Sequence, residues 1–597
     1  MSSHPAPPAH PLRREIEQRW LRWTLLFWGV LIVWYMVDRW NGIRWLSLAD
    51  TDDNLRFLQV RALLAGQGWY DLRQYRLNPP GGLDIHWSRL VDLPIAGLIL
   101  LLKPMLGLSW AERVAVGLAP LLPLGLAMVA LATTVRRLVS PLAWPLALVF
   151  LLGATATMLM FMPLRIDHHG WQLAFLGATL AGLSDPRRAR GGTIVGASSA
   201  ASFAIGLEML PYCAIAGVIV TLRWVWDPDE RRRLLAYAAA LGGGTALGFA
   251  IFTSDASSVL RCDTLTPVYL ATFSTAAAFL ALMALVSPPL RWQRLLLAAT
   301  YGAALAGGFA ALFPQCLGRP EQVSQELYDS WLSNVREAKP IYRHPLRNAL
   351  PIAALPVVGV IGALVATWRA RHSEQLVGWL AVASFGSFAA AMLLWQVRAG
   401  PAAQMLAIPG AVALAWIVLP WCLHHRLLPV RVLGTVGAFL LVSGLAAGLA
   451  IRWFPAIDRP SDYARTVMRA NSRCPTFSAM HPLDRLPAQT VFTFVDLGPR
   501  LVVLTHHDAI AGPYHRNGQA ILDVHHAFQD SPERFRAIAR AHGATLLVTC
   551  PRLGEATVYQ ARYPKGFYAR LARGEPFPFL EPVMLPNRSP LRAWRIR

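Results

Sequence analysis

A chain of 597 residues of which 55% are hydrophobic and only 15% charged does not read as a soluble enzyme; it is expected to cross a membrane many times. Its formal net charge is +22, but the basic residues are overwhelmingly Arg in short loops between apolar runs. That is the positive-inside pattern and not a nucleic-acid footprint. The first apolar run, about Trp23 to Val37, follows Arg13, Arg14, Arg19 and Arg22 with no small-residue cleavage site, so it is expected to stay as a span with the N-terminus cytoplasmic. The polar segment Asp38 to Asp92 then lies outside. Leu93 to Leu108, interrupted by Lys103-Pro104, reads as an amphipathic helix on the outer face. With that choice the second span is about Ala111 to Thr134 and leaves Arg136-Arg137 inside, and the third, about Trp144 to Met162, delivers Asp167 and His169 to the outer surface.

Continuing the alternation gives about thirteen spans, with every Arg-rich short loop on one side. The long loop Pro314 to Pro345 is outer. Everything after Trp453 is outer too, and there the composition changes to mixed charge. Strand-like runs at Thr490 to Val495, Leu501 to Thr505 and Thr545 to Thr549, with an Arg-rich helical stretch at Pro532 to Ala541, predict a small α/β domain. The expected fold class is an α-helical polytopic membrane protein. Residues 1–454 form the membrane domain, with outer loops 38–110 and 314–345, and residues 455–597 form an extracytoplasmic domain. None of the six cysteines stands in a CxxC or CxxxC spacing, which argues against a thiolate metal site. In this topology Cys262 with Cys316, and Cys474 with Cys550, lie on the oxidising side and could pair.

Four polar clusters fall on the outer side. Asp50-Thr51-Asp52-Asp53-Asn54 puts three carboxylates within four residues, which repel unless a cation or water neutralises them: a metal site or a solvated helix start. Asp167 and His169, two residues apart at the bilayer face, can aim a carboxylate oxygen and an imidazole nitrogen at one divalent cation, or can simply cap an interfacial helix. The third cluster is Asn334 to Pro340. The fourth is Trp395-Gln396-Val397-Arg398, where Arg398 suits a phosphate or snorkels to the interface. Asn78 to Trp87 could line the same cavity, or only form a turn set by its Pro and Gly residues.

The order of these clusters resembles the membrane oligosaccharyltransferases of the GT-C class. In that family an acidic motif lies in the first outer loop, a D-x-D or D-x-H motif after the third span, V/I-x-E in a long loop before the tenth, and an Arg near the end of the eleventh. Here Asp52 in TDDN, Asp167-x-His169, Val335-x-Glu337 and Arg398 stand in those places, and Arg61 with Ala65-Gly66 matches the spacing of bacterial members. The resemblance implies a divalent metal, Mn²⁺ or Mg²⁺, held by Asp52, Asp167, His169 and Glu337. It implies catalytic roles for Asp52 and Glu337, donor phosphate binding by Arg398, and an inverting transfer of a glycan from a polyprenyl-(pyro)phosphate carrier. The acceptor would be a protein, lipid or polysaccharide.

One departure concerns the acceptor. The family's W-W-D-Y-G sequence is represented here by Phe494-Val495-Asp496-Leu497-Gly498, so the Asp and Gly survive without the aromatic residues. Asp496 and the run containing Tyr514, His515 and Arg516 are the candidate acceptor contacts, or else a hydrogen-bonded surface turn. Two other classes stay open: a GT-C transferase using a polyprenyl-monophosphate sugar on a lipid or polysaccharide, and a transporter of a lipid-linked precursor. The expected location is a bacterial inner membrane with the C-terminal domain periplasmic.

Overall fold

A computed structural model describes residues 11–48, 50–453 and 460–597; the expected domain boundary at 454/455 lies outside the described residues. Every apolar run read as a span is helical. Among the described residues seven helices are long and apolar enough to cross a membrane alone, or eight if the bent pair Val430–Val442 and Leu445–Trp453 is one span. Trp144–Gly153, Leu210–Trp226 and Leu376–Met392 are apolar but shorter. The run Leu93 to Leu108 lies in a helix that starts at Arg89, buries Val91, Ile95 and Ile99, and exposes Leu100, Leu101 and Met105. Its break, however, comes not at Lys103-Pro104 but at Gly107, whose φ of 71° only glycine adopts without strain.

The membrane helices share one apolar core, and a second core joins two parts of the chain remote in sequence. Leu55, Phe57, Ile85 and Ile95 of the first outer loop and the following helix pack with Phe494, Leu501, Ile521 and Leu547 of the C-terminal region. Buried polar links hold the loop in place. Asp92 accepts from Arg56 at 2.9 Å and from Arg89 at 3.3 Å with all three side chains almost inaccessible, and Glu112 takes the Arg61 fork at 2.9 and 2.7 Å. Such pairs persist when buried because each charge meets a partner and further hydrogen bonds.

The C-terminal region forms a five-stranded mixed sheet, order β2-β1-β3-β5-β4, from β1 (Thr490–Phe492), β2 (Asp508–Ala509), β3 (Ala544–Thr549), β4 (Leu580–Val583) and β5 (Arg592–Ile596). β1 is parallel to β2 and β3, while β5 is antiparallel to β3 and β4. The expected strand at Leu501 to Thr505 is instead the helix Gly498–Leu504. Gly498-Pro499 opens it, Pro having its φ preset for a first helical turn, and its apolar residues are buried where a solvated strand would have alternated. A side chain at 498 would run into the Ala511 carbonyl, so glycine is required by close approach. This helix packs directly on the helix Thr51–Leu64. Both foreseen disulfides are present, Cys262–Cys316 and Cys474–Cys550.

Candidate active site

The helix Thr51–Leu64 carries the acidic motif in its first turn, with Asp50 as its N-cap accepting from Thr51 N at 2.6 Å. Carboxylates are favoured there because the first-turn amides present partial positive charge. The segment Leu164–His169 runs past that helix end. Asp167 N donates to Asp53 Oδ1 at 3.0 Å, and His169 N donates to Asp167 Oδ1 at 3.0 Å. The Asp167 and His169 side chains face each other, Oδ2 to Nδ1, at 3.3 Å.

At the centre lies Arg165. Its guanidinium meets Asp50 Oδ2 at 2.7 Å, Asp53 Oδ2 at 3.5 Å and Asp167 Oδ2 at 2.8 Å, with its side chain only 13% exposed. Asp52 is within electrostatic reach of Asp50, Asp167, His169 and Arg165. Four carboxylates therefore surround one guanidinium and one imidazole, and they respond differently. Burial works against ionisation of Asp50, yet Arg165 and the Thr51 hydrogen bonds hold it below the usual carboxylate range. Asp167 is likewise held low against burial by His169 and Arg165. Burial, then the charges of Asp50 and Asp167, push Asp52 up to about 7. Asp53 is raised well above the ordinary value by burial, only partly offset by Arg165. Beside this cluster His168 Nε2 and Glu208 Oε1 are 3.0 Å apart, and Gln172 donates to Glu208 Oε2 at 2.6 Å.

Asp52, Asp167 and His169 are thus brought together from two segments. Glu337 and Arg398 are brought together with each other: Arg398 Nη2 donates to Glu337 Oε1 at 3.2 Å, and Val397 N donates to Lys339 O at 2.8 Å. Glu337 is 63% exposed and has no contact with the acidic cluster among the described interactions. The candidate acceptor residues divide. Tyr514 OH donates to Thr51 O at 2.8 Å, which places it against the acidic helix end. Asp496 opens to solvent yet has protein around it, as at the floor of a cleft, and burial together with the Asp50 charge raises it to about 6. His515 and Arg516 are instead engaged with Asp263, at 2.7 Å and at 2.7 and 2.8 Å.

No protein-family model matches the chain, and no curated protein matches it in sequence. Among solved structures, the archaeal oligosaccharyltransferase AglB from Archaeoglobus fulgidus, in complex with an inhibitory peptide and a dolichol-phosphate, superimposes over 95% of this chain and 73% of its own. The TM-score is 0.65 at 13% identity. The chain has the fold of an oligosaccharyltransferase. The same archaeal protein tethered to an acceptor peptide with the NVT sequon superimposes over 89% of this chain and 69% of its own, TM-score 0.63 at 13% identity. Its complex with Zn and sulfate does so over 88% and 67%, TM-score 0.56 at 14% identity.

Within this oligosaccharyltransferase fold the acidic cluster sets carboxylate oxygens beside one imidazole. Among the described residues Asp53 Oδ2, Asp167 Oδ2 and His169 Nδ1 are buried without a hydrogen bond, although Arg165 ion-pairs with both carboxylates and Asp167 Oδ2 faces His169 Nδ1. Carboxylate oxygens with a single imidazole suit Mn²⁺ or Mg²⁺. Asp50 and Asp53 stand in the sequence only as members of the acidic run, and Arg165 carries no role there. Arg165 stands two residues before Asp167, and the fold turns it inward onto three carboxylates.

Proposed function

We propose that the protein is a metal-dependent, inverting glycosyltransferase that moves a glycan from a polyprenyl-linked carrier to an acceptor on the outer side of a bacterial inner membrane, with the C-terminal domain on that side. What carries this reading is the meeting of Asp52, Asp167 and His169 around Arg165 at the end of a membrane-embedded helical bundle of oligosaccharyltransferase fold. The dolichol-phosphate and the acceptor peptide bound by the archaeal neighbour support a lipid-linked donor and a site able to take an acceptor.

Asp52, Asp167 and His169 would hold the cation; when bound, it supplies positive charge to a departing phosphate. Glu337 is assigned to the donor side with Arg398 and would reach the cation only by leaving its ion pair. Arg398, 40% exposed, is available to a phosphate through its planar fork. Asp52, poised near neutrality, would accept a proton from the acceptor nucleophile and orient it, and displacement from the opposite face of the sugar gives inversion. Arg165 keeps Asp167 ionised and fixes its direction.

A non-peptide acceptor, lipid or polysaccharide, is the second reading. Phe494, Val495 and Leu497 are at most 1% exposed, with Phe494 packed between Phe528 and Tyr568. They fill the domain core, and only Asp496 of that motif faces outward.

The test is to incubate the purified protein with lipid-linked oligosaccharide, Mn²⁺ and either sequon peptides or envelope lipids and polysaccharides, and to identify the glycosylated product by mass spectrometry. Glycan transfer to any of these supports the reading. No transfer and no donor consumption, with correctly folded protein, overturns it.

A further inference from the structure

A second constellation lies where three separate segments meet. His86 comes from the first outer loop, Asp263 from the loop between the helices Arg231–Phe252 and Pro267–Val286, and His515 from the C-terminal domain. Each offers one ligand atom, and the three atoms lie within 4.8 Å of one another. His515 Nε2 is 2.7 Å from Asp263 Oδ2, and the His86 and His515 rings are 4.7 Å apart between centroids without hydrogen bonding each other. Among the described residues His86 Nδ1 is buried and has no hydrogen-bond partner. A buried nitrogen left unpaired beside a second imidazole and a carboxylate is what a metal ligand looks like without its ion.

The surroundings fit. Asp263 is held in orientation by Arg516, Nε to Oδ2 at 2.7 Å and Nη2 to Oδ1 at 2.8 Å, and hydrogen-bonding partners of this kind fix ligating carboxylates at metal sites. Cys262, next to Asp263, is tied to Cys316, so the carboxylate sits on an anchored loop. Arg516 also reaches Asp84 at 3.3 Å, and Arg261 meets Asp84 at 3.1 Å. Two carboxylates and two guanidiniums cancel, so an ion would be drawn by ligand geometry and not by the local field. Among the described residues none of these is a hydrogen-bond or ion-pair partner of the acidic cluster.

We propose that His86, Asp263 and His515 form a second divalent-cation site, of the zinc type, which ties the first outer loop and the disulfide-anchored loop to the C-terminal domain. Two imidazoles and one carboxylate leave the fourth tetrahedral position to water or an anion. The site is independent of the glycosyl-transfer reading.

The experiment uses the full-length protein in detergent, stripped by chelation, reloaded with Zn²⁺ and passed through gel filtration before elemental analysis. The wild type is expected to retain zinc, the Asp167→Asn variant to retain it as well, and His86→Asn and His515→Asn to lose one equivalent while eluting as folded protein. X-ray absorption on the zinc-loaded Asp167→Asn protein needs no change at the proposed site, and should show two imidazoles in the zinc shell, whereas the acidic cluster offers one, His169. Zinc retained in full by both His variants, lost on Asp167→Asn, absent from the wild type, or bound with fewer than two imidazoles would overturn the proposal.

Discussion

Asp52→Asn is expected to separate stability from function, because it removes a carboxylate that the fold holds against ionisation. A rise from 3.8 to about 7 corresponds to about 4 kcal/mol of unfavourable free energy in the ionised form. Because Asp52 is partly open to solvent, about half of that, roughly 2 kcal/mol, is a better expectation. The sign follows from linkage. A carboxyl whose folded pKa lies above its unfolded value costs stability in full above about 7, and the cost fades as pH falls toward the unfolded value, to about a third by pH 5. The neutral isostere removes that cost. Metal-free Asp52→Asn should therefore unfold at a higher temperature than wild type at pH 8, with the gap narrowing toward pH 5, while transferring no glycan. Thermal unfolding in detergent with chelator, followed by Trp fluorescence, measures the first half, and product formation from a lipid-linked donor measures the second. A variant that is less stable at pH 8, or that turns over normally, refutes the reasoning.

Arg165→Met should lower stability by about 3–5 kcal/mol at pH 8, since it strips the shared partner from Asp50, Asp53 and Asp167; denaturant titration that finds no loss would remove Arg165 from the centre of the cluster. Gly498→Ala should destabilise the C-terminal domain by roughly 2–4 kcal/mol, because the new methyl meets the Ala511 carbonyl and both groups are backbone-anchored; limited proteolysis should show earlier cleavage in that domain, and an unchanged digest would contradict the packing. Replacing Cys474 and Cys550 by Ser opens a 76-residue loop closure and should cost about 4 kcal/mol, read as a lower melting temperature than the wild type; an unchanged melting temperature would contradict it.

The candidate site was legible to the extent that its chemistry is local. Asp52, Asp167 and His169 stand in short motifs whose spacing and side of the membrane follow from hydropathy and Arg placement, and the fold brings them together. Within Asp50-Thr51-Asp52-Asp53, though, nothing local tells which carboxylate caps the helix, which pairs with Arg165 and which is left strained; that depends on a segment more than a hundred residues away. Leu501 to Thr505 was misread because a short continuous apolar run has no period that separates a buried strand from a buried helix. The shared core of the first outer loop and the C-terminal region had no signal in either segment alone, and it is what carries Tyr514 to Thr51 and His515 to Asp263.

The most direct test of a cation at Asp52, Asp167 and His169 is single-turnover glycan transfer by chelator-stripped protein as Mn²⁺ is added back. The reading requires no product before metal, recovery that saturates with Mn²⁺, and no recovery in His169→Ala. Full-rate transfer by the stripped wild type would contradict it.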